Sequence, residues 1–452
     1  MINSPFGVGA YSYIQMTLAP PIFVGIDIGT SGCRGCAIDI GGHLLAEQAI
    51  ELPAPSRRGV EVEQEPLIWW QALTAVLTQL CDTLPYPITA LAIDGTSATV
   101  LLVDKHGTPL GPALMYNDAR ATQEAEQIRQ IGPRECGAHG ATSSLAKLLW
   151  LLKNTQPHGV HHVLHQADWL AGKLTGRFDI SDENNCLKLG YDTILCHWPS
   201  WIAKVVDMAS LPQVQPPGTP IATVKENVAK PIGLNPKTVV VSGTTDSIAA
   251  FLATGAEQVG QAVTSLGSTL ALKMVSDKPV FSPEYGVYSH RLWDKWLAGG
   301  ASNTGGAVLL KYFTPSALAS LTPQLQPEQS TQLDYYPLLS VGERFPVADP
   351  KRRPRLEPRP AEDVIFFQGL LESIARIEAE GYQRLYSLGA PYPTTVYTVG
   401  GGAKNSAWTQ IRQNLLSVHM QTPQYTEAAY GAALLAKRGF FATTDGCSRS
   451  KR

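Results

Sequence analysis

The chain of 452 residues is longer than the roughly 100 to 200 residues of a typical domain, so two or three domains are expected. Its residues are 44% hydrophobic and 16% charged, as in an ordinary globular protein, which excludes an intrinsically disordered chain. The formal net charge of −2 and the shortness of the basic runs argue against a nucleic-acid partner.

The N-terminal segment and the cysteines bear on where the protein works. Residues 1–26 contain no Lys, Arg, Asp or Glu and so lack the positively charged start of a signal peptide. We interpret residues 1–20 as a flexible extension, with Met16 as an alternative start. No apolar run reaches the roughly 20 residues that cross a bilayer, so no membrane partner is expected. The seven cysteines are scattered and odd in number, unlike a disulfide framework, which indicates a reducing cytoplasm.

The predicted elements begin with three strands in IFVGIDIGTSGCRGCAIDIGGHLLAEQ, separated by glycine turns at residues 29–32 and 41–42. An amphipathic helix follows with Pro66 in its first turn. Its apolar residues recur at helical spacing and are assigned to the core: Trp69, Leu73, Val76, Leu77 and Leu80.

Two groups of residues have the types that bind metals. Cys33 and Cys36 are spaced C-x-x-C, but this odd spacing on a strand places them on opposite faces, and no second pair follows. Four histidines lie close together: His158, His161, His162 and His165. They flank Gly159 and lead into a short apolar run, so a surface loop is preferred over a metal site.

A second strand–turn–strand segment, QAVTSLGSTLALKM, follows further along the chain. Gly267 and Ser268 occupy its turn, as Gly29 and Thr30 do in the first. The recurrence predicts two lobes of one design, each opening with a hairpin whose turn faces the other lobe. A cleft between the lobes is then the expected ligand site.

Each predicted lobe also has a strand that passes through glycine into a helix, at Gly243 in the first lobe and at residues 400–402 in the second. A helix N-terminus beside open backbone favours phosphate or another anion. A long helix is predicted near residues 364–388 and a shorter one after Thr426. The prolines between residues 315 and 360 indicate an extended loop.

The sequence contains neither a Walker A motif nor G-x-G-x-x-G, so any phosphates must be bound in another way. The segment GIDIGTSG ends an apolar strand with Asp27 and continues with Thr30 and Ser31 among glycines. Such a hairpin can bind phosphate oxygens through its N–H groups, while the carboxylate at the strand end holds Mg²⁺ through water. The alternative is an ordinary hairpin stabilised by the aspartate.

Several segments together resemble a known family. GIDIGTSG, SGTTDS, TSLGST, VGGGAKN and TEAAYGAALLA are similar to segments of the FGGY carbohydrate kinases, in the sugar kinase, Hsp70 and actin superfamily. VEVEQEPLIWW, YNDAR, DWLAGKLTG and YYPLLSVGERFPVADP are also similar to family segments, so the resemblance extends over residues 22–438. It implies an α/β fold of two actin-like, ribonuclease H-like lobes with an ATP cleft between them. We expect an N-terminal lobe at 21–256, a C-terminal lobe at 257–440 and a tail at 441–452.

The resemblance also implies roles for individual residues. Asp246 matches the general base that accepts a proton from the sugar hydroxyl, and Asp27 matches a carboxylate associated with Mg²⁺. Sugar contacts are expected from Asp27, Asp94, Ser97 and Asp246. The expected ATP contacts are Thr30, Ser31, Gly267, Ser268, Thr269, Gly400, Gly401, Gly402 and Asn405. The alternatives are helix capping for Asp246, turn chemistry for Asp94 and Thr96, and simple helix entry for the glycines.

The acceptor is expected to be a ketopentose, with Thr96 and Ser97 as a polar wall of its site. Ser97-Ala98 stands where xylulose kinases carry Met-His, and the Arg-Glu pair of glycerol kinases is missing. Short ribulose kinases of cyanobacterial and plant type are similar in IDGTS, SLGST and TTDSIAAFLA, which favours D-ribulose over D-xylulose. Glycerol or another polyol is a weaker alternative, and a nucleotide-driven switch without kinase activity is a different class. The sequence does not indicate an oligomeric state.

Overall fold

The computed structural model of the protein describes residues 19–155 and 159–449. Residues 1–18 of the predicted extension, with the alternative start Met16, therefore lie outside the described residues. So do His158 and residues 450–452 of the predicted tail. In the described part of the chain, no helix is long and apolar enough to cross a membrane.

The first half of the chain alternates strands and helices. In chain order they are β1 (Ile22–Ile28), β2 (Gly32–Ile38), β3 (Leu44–Glu51), β4 (Ser56–Arg58), β5 (Glu61–Gln64), α1 (Pro66–Thr83), β6 (Ile88–Gly95), β7 (Val100–Val103), β8 (Ala113–Leu114), α2 (Thr122–Ile131), α3 (Ser144–Asn154), β9 (His162–His165), α4 (Gln166–Thr175), β10 (Ile180–Asp182), α5 (Glu183–Cys186), β11 (Gln213–Gln215), β12 (Pro220–Thr223), α6 (Glu226–Ile232), β13 (Val239–Thr245) and α7 (Asp246–Ala253).

The second half repeats the plan with longer helices. Its elements are β14 (Gln261–Leu266), β15 (Leu270–Ser276), β16 (Tyr288–Leu292), β17 (Lys295–Ala301), α8 (Gly306–Tyr312), α9 (Pro315–Leu321), α10 (Asp363–Ser387), β18 (Thr395–Val399), α11 (Ser406–Leu416), β19 (His419–Gln421) and α12 (Ala428–Arg449).

Each half is built on one six-stranded mixed sheet, ordered β12-β13-β6-β1-β2-β3 in the first and β16-β17-β15-β14-β18-β19 in the second. In the first sheet β1, β6 and β13 are parallel neighbours, so their carboxyl ends meet at one edge. The antiparallel hairpins β1–β2 and β14–β15 hold corresponding central places in the two sheets. The predicted α/β fold with two lobes of one design is confirmed.

The described residues form four apolar cores, one of which packs around α2 and α3 in the first lobe. The predicted core residues of α1 are fully buried in a first core beneath the first sheet: Trp69, Leu73, Val76, Leu77 and Leu80. A second core lies between the second sheet and α10 and α11. A third joins α7 and α12 to residues of both sheets, so the lobes share apolar packing.

The two helices of the third core, α7 and α12, cross at very short range. A Cβ added to Gly431 of α12 would lie 1.8 Å from the carbonyl oxygen of Ala249 in α7, which only glycine avoids. Although α12 comes last in the chain, it packs against β1 and β6 of the first sheet. The last helix therefore ties the end of the chain to the first lobe.

The segment predicted as an extended loop is regular at its start. Helix α9 forms there because Pro315 suits a first helical position and the Thr314 hydroxyl accepts a hydrogen bond from the Ala317 amide at 3.2 Å. From residue 325 to 362 the described chain has no helix or sheet strand, as predicted.

Candidate active site

Acidic residues end the parallel strands of the first sheet. Asp27 of β1 is the register partner of Asp94 of β6, and Asp94 is also paired with Thr244 of β13. The Arg34 Nη1 atom, from the hairpin partner of β1, donates to Asp27 Oδ2 at 3.1 Å. Asp246 follows β13 directly, so the sheet brings together three aspartates that are far apart in the chain.

Asp94 lies deepest among the three aspartates. Its side chain is fully buried, and apart from the neighbouring Asp27 carboxyl, with which it can share a proton, its oxygens have no hydrogen-bond partner among the described residues. Burial raises the pKa of Asp94 well above its ordinary value, and the carboxylates of Asp27 and Asp246 raise it further. The Asp94 oxygens accept no bond from the turn that follows, whereas Thr96 takes part in that turn, since the Thr99 amide donates to its carbonyl oxygen at 3.2 Å.

Asp246 is the first residue of α7, and its Oδ1 accepts a hydrogen bond from the Ser247 amide at 2.6 Å. Burial raises the pKa of Asp246 and Asp27 raises it further, whereas the Ser247 amide, Lys273 and Lys188 lower it. The carboxylate thus stabilises the helix start and still faces the junction of the lobes. This geometry is compatible with both the predicted base and helix capping.

The loop after β6 carries Ser97. The Thr96 hydroxyl is hydrogen-bonded within the protein, since it donates to Gln166 Oε1 at 2.9 Å and lies 2.5 Å from the Thr99 hydroxyl. Ala98 has a φ of 67°, a left-handed conformation that is uncommon for alanine. Of the predicted polar wall, the half-buried Ser97 alone remains without a hydrogen bond in the described chain.

A buried lysine donates hydrogen bonds to the backbone of the loop that carries Ser97. Lys147 is wholly buried in α3, and its Nζ donates to the carbonyl oxygens of Ala98 and of Met115, the latter at 2.8 Å. Burial lowers the pKa of Lys147 to about 7. Sequence reasoning missed this residue, although a lone lysine within the apolar run SLAKLLWLL was a usable signal.

The first predicted phosphate turn is the tip of the β1–β2 hairpin. The Gly29 amide donates to the Gly32 carbonyl oxygen at 2.9 Å, which closes the turn. Thr30 is half-buried and Ser31 is exposed. Their hydroxyl groups have no hydrogen-bond partner among the described residues, so both are available to a ligand.

The second predicted phosphate turn joins β14 to β15. Ser268 and Thr269 are exposed, while the carbonyl oxygens of Gly267 and Ser268 accept bonds from the first amides of α8 at 2.8 and 3.1 Å. The neighbouring loop at residues 302–304 is held by the buried Glu343, which accepts from Ser302 Oγ at 2.6 Å and from the Asn303 amide at 2.7 Å. Sequence reasoning did not identify this use of Glu343.

The predicted adenosine segment touches the second turn. Gly400 has a φ of 85°, and a Cβ there would lie 2.8 Å from the Leu266 carbonyl oxygen, so this contact requires glycine. Residues 401–404 form one turn of 3₁₀ helix. Asn405 caps α11 by accepting from the Trp408 amide at 2.9 Å, and its Nδ2 lies 3.4 Å from Thr322 Oγ1. The fold thus brings the second turn and the glycine segment together.

A cavity of about 780 Å³ opens between residues of the two lobes. Residues 122–143 line it on the first lobe and residues 281–288 on the second, with Lys188 also in its wall. None of the predicted site residues lines this cavity; Lys188 in its wall is the residue that also acts on the aspartates, since its charge lowers the pKa of Asp246.

The cysteine pair and His165 lie in the interior, and the surface loop preferred for the histidines is wrong for His162 and His165, which begin and end β9. Cys33 faces the first core and Cys36 the third, on opposite faces of β2 as predicted, and burial raises the pKa of both thiols. His165 is buried between Asp168 Oδ2 and Ser144 Oγ, both at 3.1 Å. Among residues 19–155 and 159–449, no three His, Cys, Asp or Glu side chains are grouped to hold a metal ion.

Comparisons with known proteins agree with this architecture. The model of the FGGY family of carbohydrate kinases, N-terminal domain, matches residues 22–253, and the model of its C-terminal domain matches residues 262–440. Xylulose kinase from Escherichia coli is 27% identical over 447 residues, with 92% of this chain and 90% of the relative covered. Xylulose kinase from Streptomyces rubiginosus is 26% identical, with 92% and 87% covered.

Solved structures are similar over the same length. A xyloylose kinase from Brucella ovis superposes with a TM-score of 0.83 at 26% identity, covering 93% of this chain and 91% of that one. Xylulose kinase from Rhodospirillum rubrum has a TM-score of 0.82 at 21% identity, with 93% and 90% covered, and shows the same fold.

Proposed function

The chain belongs to the FGGY family of carbohydrate kinases, and we propose that it transfers the γ-phosphoryl group of MgATP to a hydroxyl of a ketopentose, preferably D-ribulose. The observation that carries the proposal is the placement of Asp246. It stands at the start of α7, beside the strand ends that carry Asp27 and Asp94. Family membership supports the carbohydrate kinase activity, and the identity of the acceptor sugar is what we propose beyond it.

In the proposed reaction Asp246 accepts the proton of the sugar hydroxyl as its oxygen attacks the γ-phosphorus. A carboxylate suits this role because phosphoryl transfer depends mainly on positioning, and a raised pKa improves proton acceptance. The exposed turns at Thr30–Ser31 and Gly267–Thr269 would hold phosphate oxygens with amides and hydroxyls. The segment from Gly400 to Asn405 would lie along the adenosine.

In this proposal a magnesium ion lies at the acidic end of the first sheet and is held through water, not by three directly coordinating side chains. Asp94 and Asp27 place their carboxyl groups side by side, sharing a proton in the absence of a cation, and no other group of the described chain donates to Asp94. This surplus of carboxylate oxygens suits a hard cation and its bound water. Asp27 would hold the ion through water. When bound, magnesium neutralises charge on the phosphates.

D-ribulose and D-xylulose are the two candidate acceptors, and a different observation supports each. The motif resemblance to short ribulose kinases and the lack of a Met-His pair at Ser97-Ala98 favour D-ribulose. The similarity to xylulose kinases from two bacteria supports D-xylulose as the second candidate. In either case we propose that Asp94, Ser97 and Asp246 contact the sugar hydroxyls and that the sugar enters through the cavity whose wall includes Lys188.

The test is coupled ADP release with MgATP and a panel of D-ribulose, D-xylulose, L-ribulose and glycerol. We expect the highest kcat/KM with D-ribulose and a loss in kcat on the order of 10²-fold or more in Asp246→Ala. Asp207→Ala is the matched control. Asp207 also accepts a hydrogen bond from a backbone amide at a helix start, at 3.0 Å, but it is exposed and far along the chain from the three aspartates. Full activity in Asp246→Ala would reduce Asp246 to a helix cap. A preference for D-xylulose would replace the acceptor and leave the chemistry intact.

A further inference from the structure

One side chain crosses from the second lobe to the start of α7. Lys273 lies on β15, four residues after the phosphate turn that ends at Thr269, and its Nζ donates to the carbonyl oxygen of Ser247. Ser247 is the residue next to Asp246. A single hydrogen bond therefore joins the strand of one phosphate turn to the backbone beside the proposed base.

The strand that carries Lys273 is firmly held. β15 is paired along its length with β14 on one side and β17 on the other, where Lys273 is opposite Val263 and Gly299. A displacement of the lysine backbone would have to break one of these ladders. The Lys273 side chain therefore fixes the position of α7 relative to the second sheet, which is held on both sides, and not relative to a loop.

The surroundings of Lys273 are charged, and its side chain is half-buried. Burial lowers the pKa of Lys273 to about 8, the carboxylate of Asp246 raises it, and the ammonium of Lys188 lowers it. No ion pair joins Lys273 to Asp246 among the described residues, so its charge acts on the carboxylate across space. His290 lies close by, and burial lowers its pKa well below the usual range, so it adds no charge at neutral pH.

We propose that Lys273 is a positioning residue, which holds Asp246 in register with the second phosphate turn when the lobes close on ATP and sugar. The inference rests on the proposed function and deepens it. Phosphoryl transfer is sensitive to the separation of its groups, and a misplacement of about 1 Å can cost on the order of 10²-fold in rate. A hydrogen bond from Lys273 of the second lobe to Ser247 of the first is a direct means of setting that separation.

The chain offers a matched control. Lys295 of β17 also reaches out of the second sheet, and its Nζ donates to the Glu257 carbonyl oxygen at 2.9 Å, beyond the far end of α7. The two lysines make the same kind of bond to the chain around α7. They differ in that only Lys273 is next to Asp246.

The experiment compares Lys273→Met, Lys273→Arg and Lys295→Met with the wild type, using MgATP and the best acceptor. For Lys273→Met we expect kcat to fall about 10- to 100-fold while the KM for ATP changes little. Lys273→Arg should recover most of the loss, and Lys295→Met should match the wild type. Equal kinetics of Lys273→Met and Lys295→Met would overturn the proposal.

The pH profile adds a readout that a purely structural tie would not change. Asp246 faces Asp27 and Asp94, which disfavour its charge, and Lys273 and Lys188, which favour it. Loss of the Lys273 charge raises the pKa of Asp246, so the acid limb of kcat/KM should move to higher pH in Lys273→Met and stay in Lys273→Arg. An unmoved limb would contradict the inference.

Hydrogen exchange separates this inference from the proposed function. We expect faster amide exchange in the first turns of α7 in Lys273→Met than in Lys295→Met, whether or not any acceptor is turned over. If the wild type phosphorylates no acceptor, the proposed function fails. The amide exchange rates would still show whether the hydrogen bond from Lys273 to Ser247 holds the start of α7. Lys273→Gln serves the same comparison should the methionine variant not fold, and unchanged exchange in α7 would refute the tie.

Discussion

A buried ion pair behind the two nucleotide loops should dominate the stability of the second lobe. Arg412 of α11 and Glu378 of α10 are both fully buried, and two parallel bonds join them, at 2.6 Å from Nε and 2.7 Å from Nη2. Arg412 Nη1 also donates to Thr398 Oγ1 at 2.8 Å. The Thr264 hydroxyl donates to Glu378 at 2.6 Å and lies 2.7 Å from the Tyr382 hydroxyl. The network thus holds β14 and β18, the strands that lead into both loops.

Replacing Arg412 by methionine would leave Glu378 as a buried charge with one donor, Thr264, among its present partners. Breaking one side of a buried pair costs about 3 to 5 kcal/mol, because the remaining charge stays out of water. Arg129 and Glu126 form a control of the same bidentate geometry at 2.7 and 2.6 Å, but both side chains are exposed. Arg129→Met should therefore cost about 0 to 1 kcal/mol.

The assay is urea unfolding followed by tryptophan fluorescence, with the ATP KM as a second readout. Arg412→Met should lower the unfolding midpoint far more than Arg129→Met and raise the KM for ATP. Replacing both Arg412 and Glu378 by apolar residues of similar size should recover much of the loss. Similar midpoints for Arg412→Met and Arg129→Met would refute the reasoning that burial makes the difference.

Three further outcomes are expected. Gly431→Ala should destabilise the fold by about 1 to 3 kcal/mol in thermal melting, because its Cβ would press on the Ala249 carbonyl 1.8 Å away; a wild-type melting point would mean that α12 shifts freely. Lys147→Met removes the donor to Ala98 and should cost about 1 to 3 kcal/mol. Burial lowers the pKa of Lys147 from 10.5 to about 7, so between these pH values the unfolded chain binds more protons than the folded chain. The free energy of unfolding of the wild type should therefore increase relative to that of this variant as pH rises through that window. A constant difference between the two in urea unfolding would argue against the pKa shift. Asn405→Ala should cost about 1 kcal/mol and Asn405→Ser should restore it, with an unchanged KM for ATP if capping is the whole role; a raised KM in both would favour the predicted adenosine contact.

Local pattern was sufficient for much of this fold. The two hairpins with their glycine turns, the amphipathic face of α1 and the helix near residues 364–388 were predicted because alternation, helical spacing and turn residues act over a few neighbouring positions. The opposite facing of Cys33 and Cys36 followed from the same period of two along a strand.

The sequence by itself thus determined the turns and the position of Asp246 at a helix start, because each depends on residues adjacent in the chain, and it determined the two-lobed plan because one such local pattern recurs. Only the tertiary structure decided which distant segments meet: Asp94 beside Asp27, Lys147 beneath Ala98, and Lys273 against Ser247. It also turned the Thr96 hydroxyl onto Gln166. The physical reason is that a buried polar group must find its partner wherever packing brings one, and no local period encodes that partner.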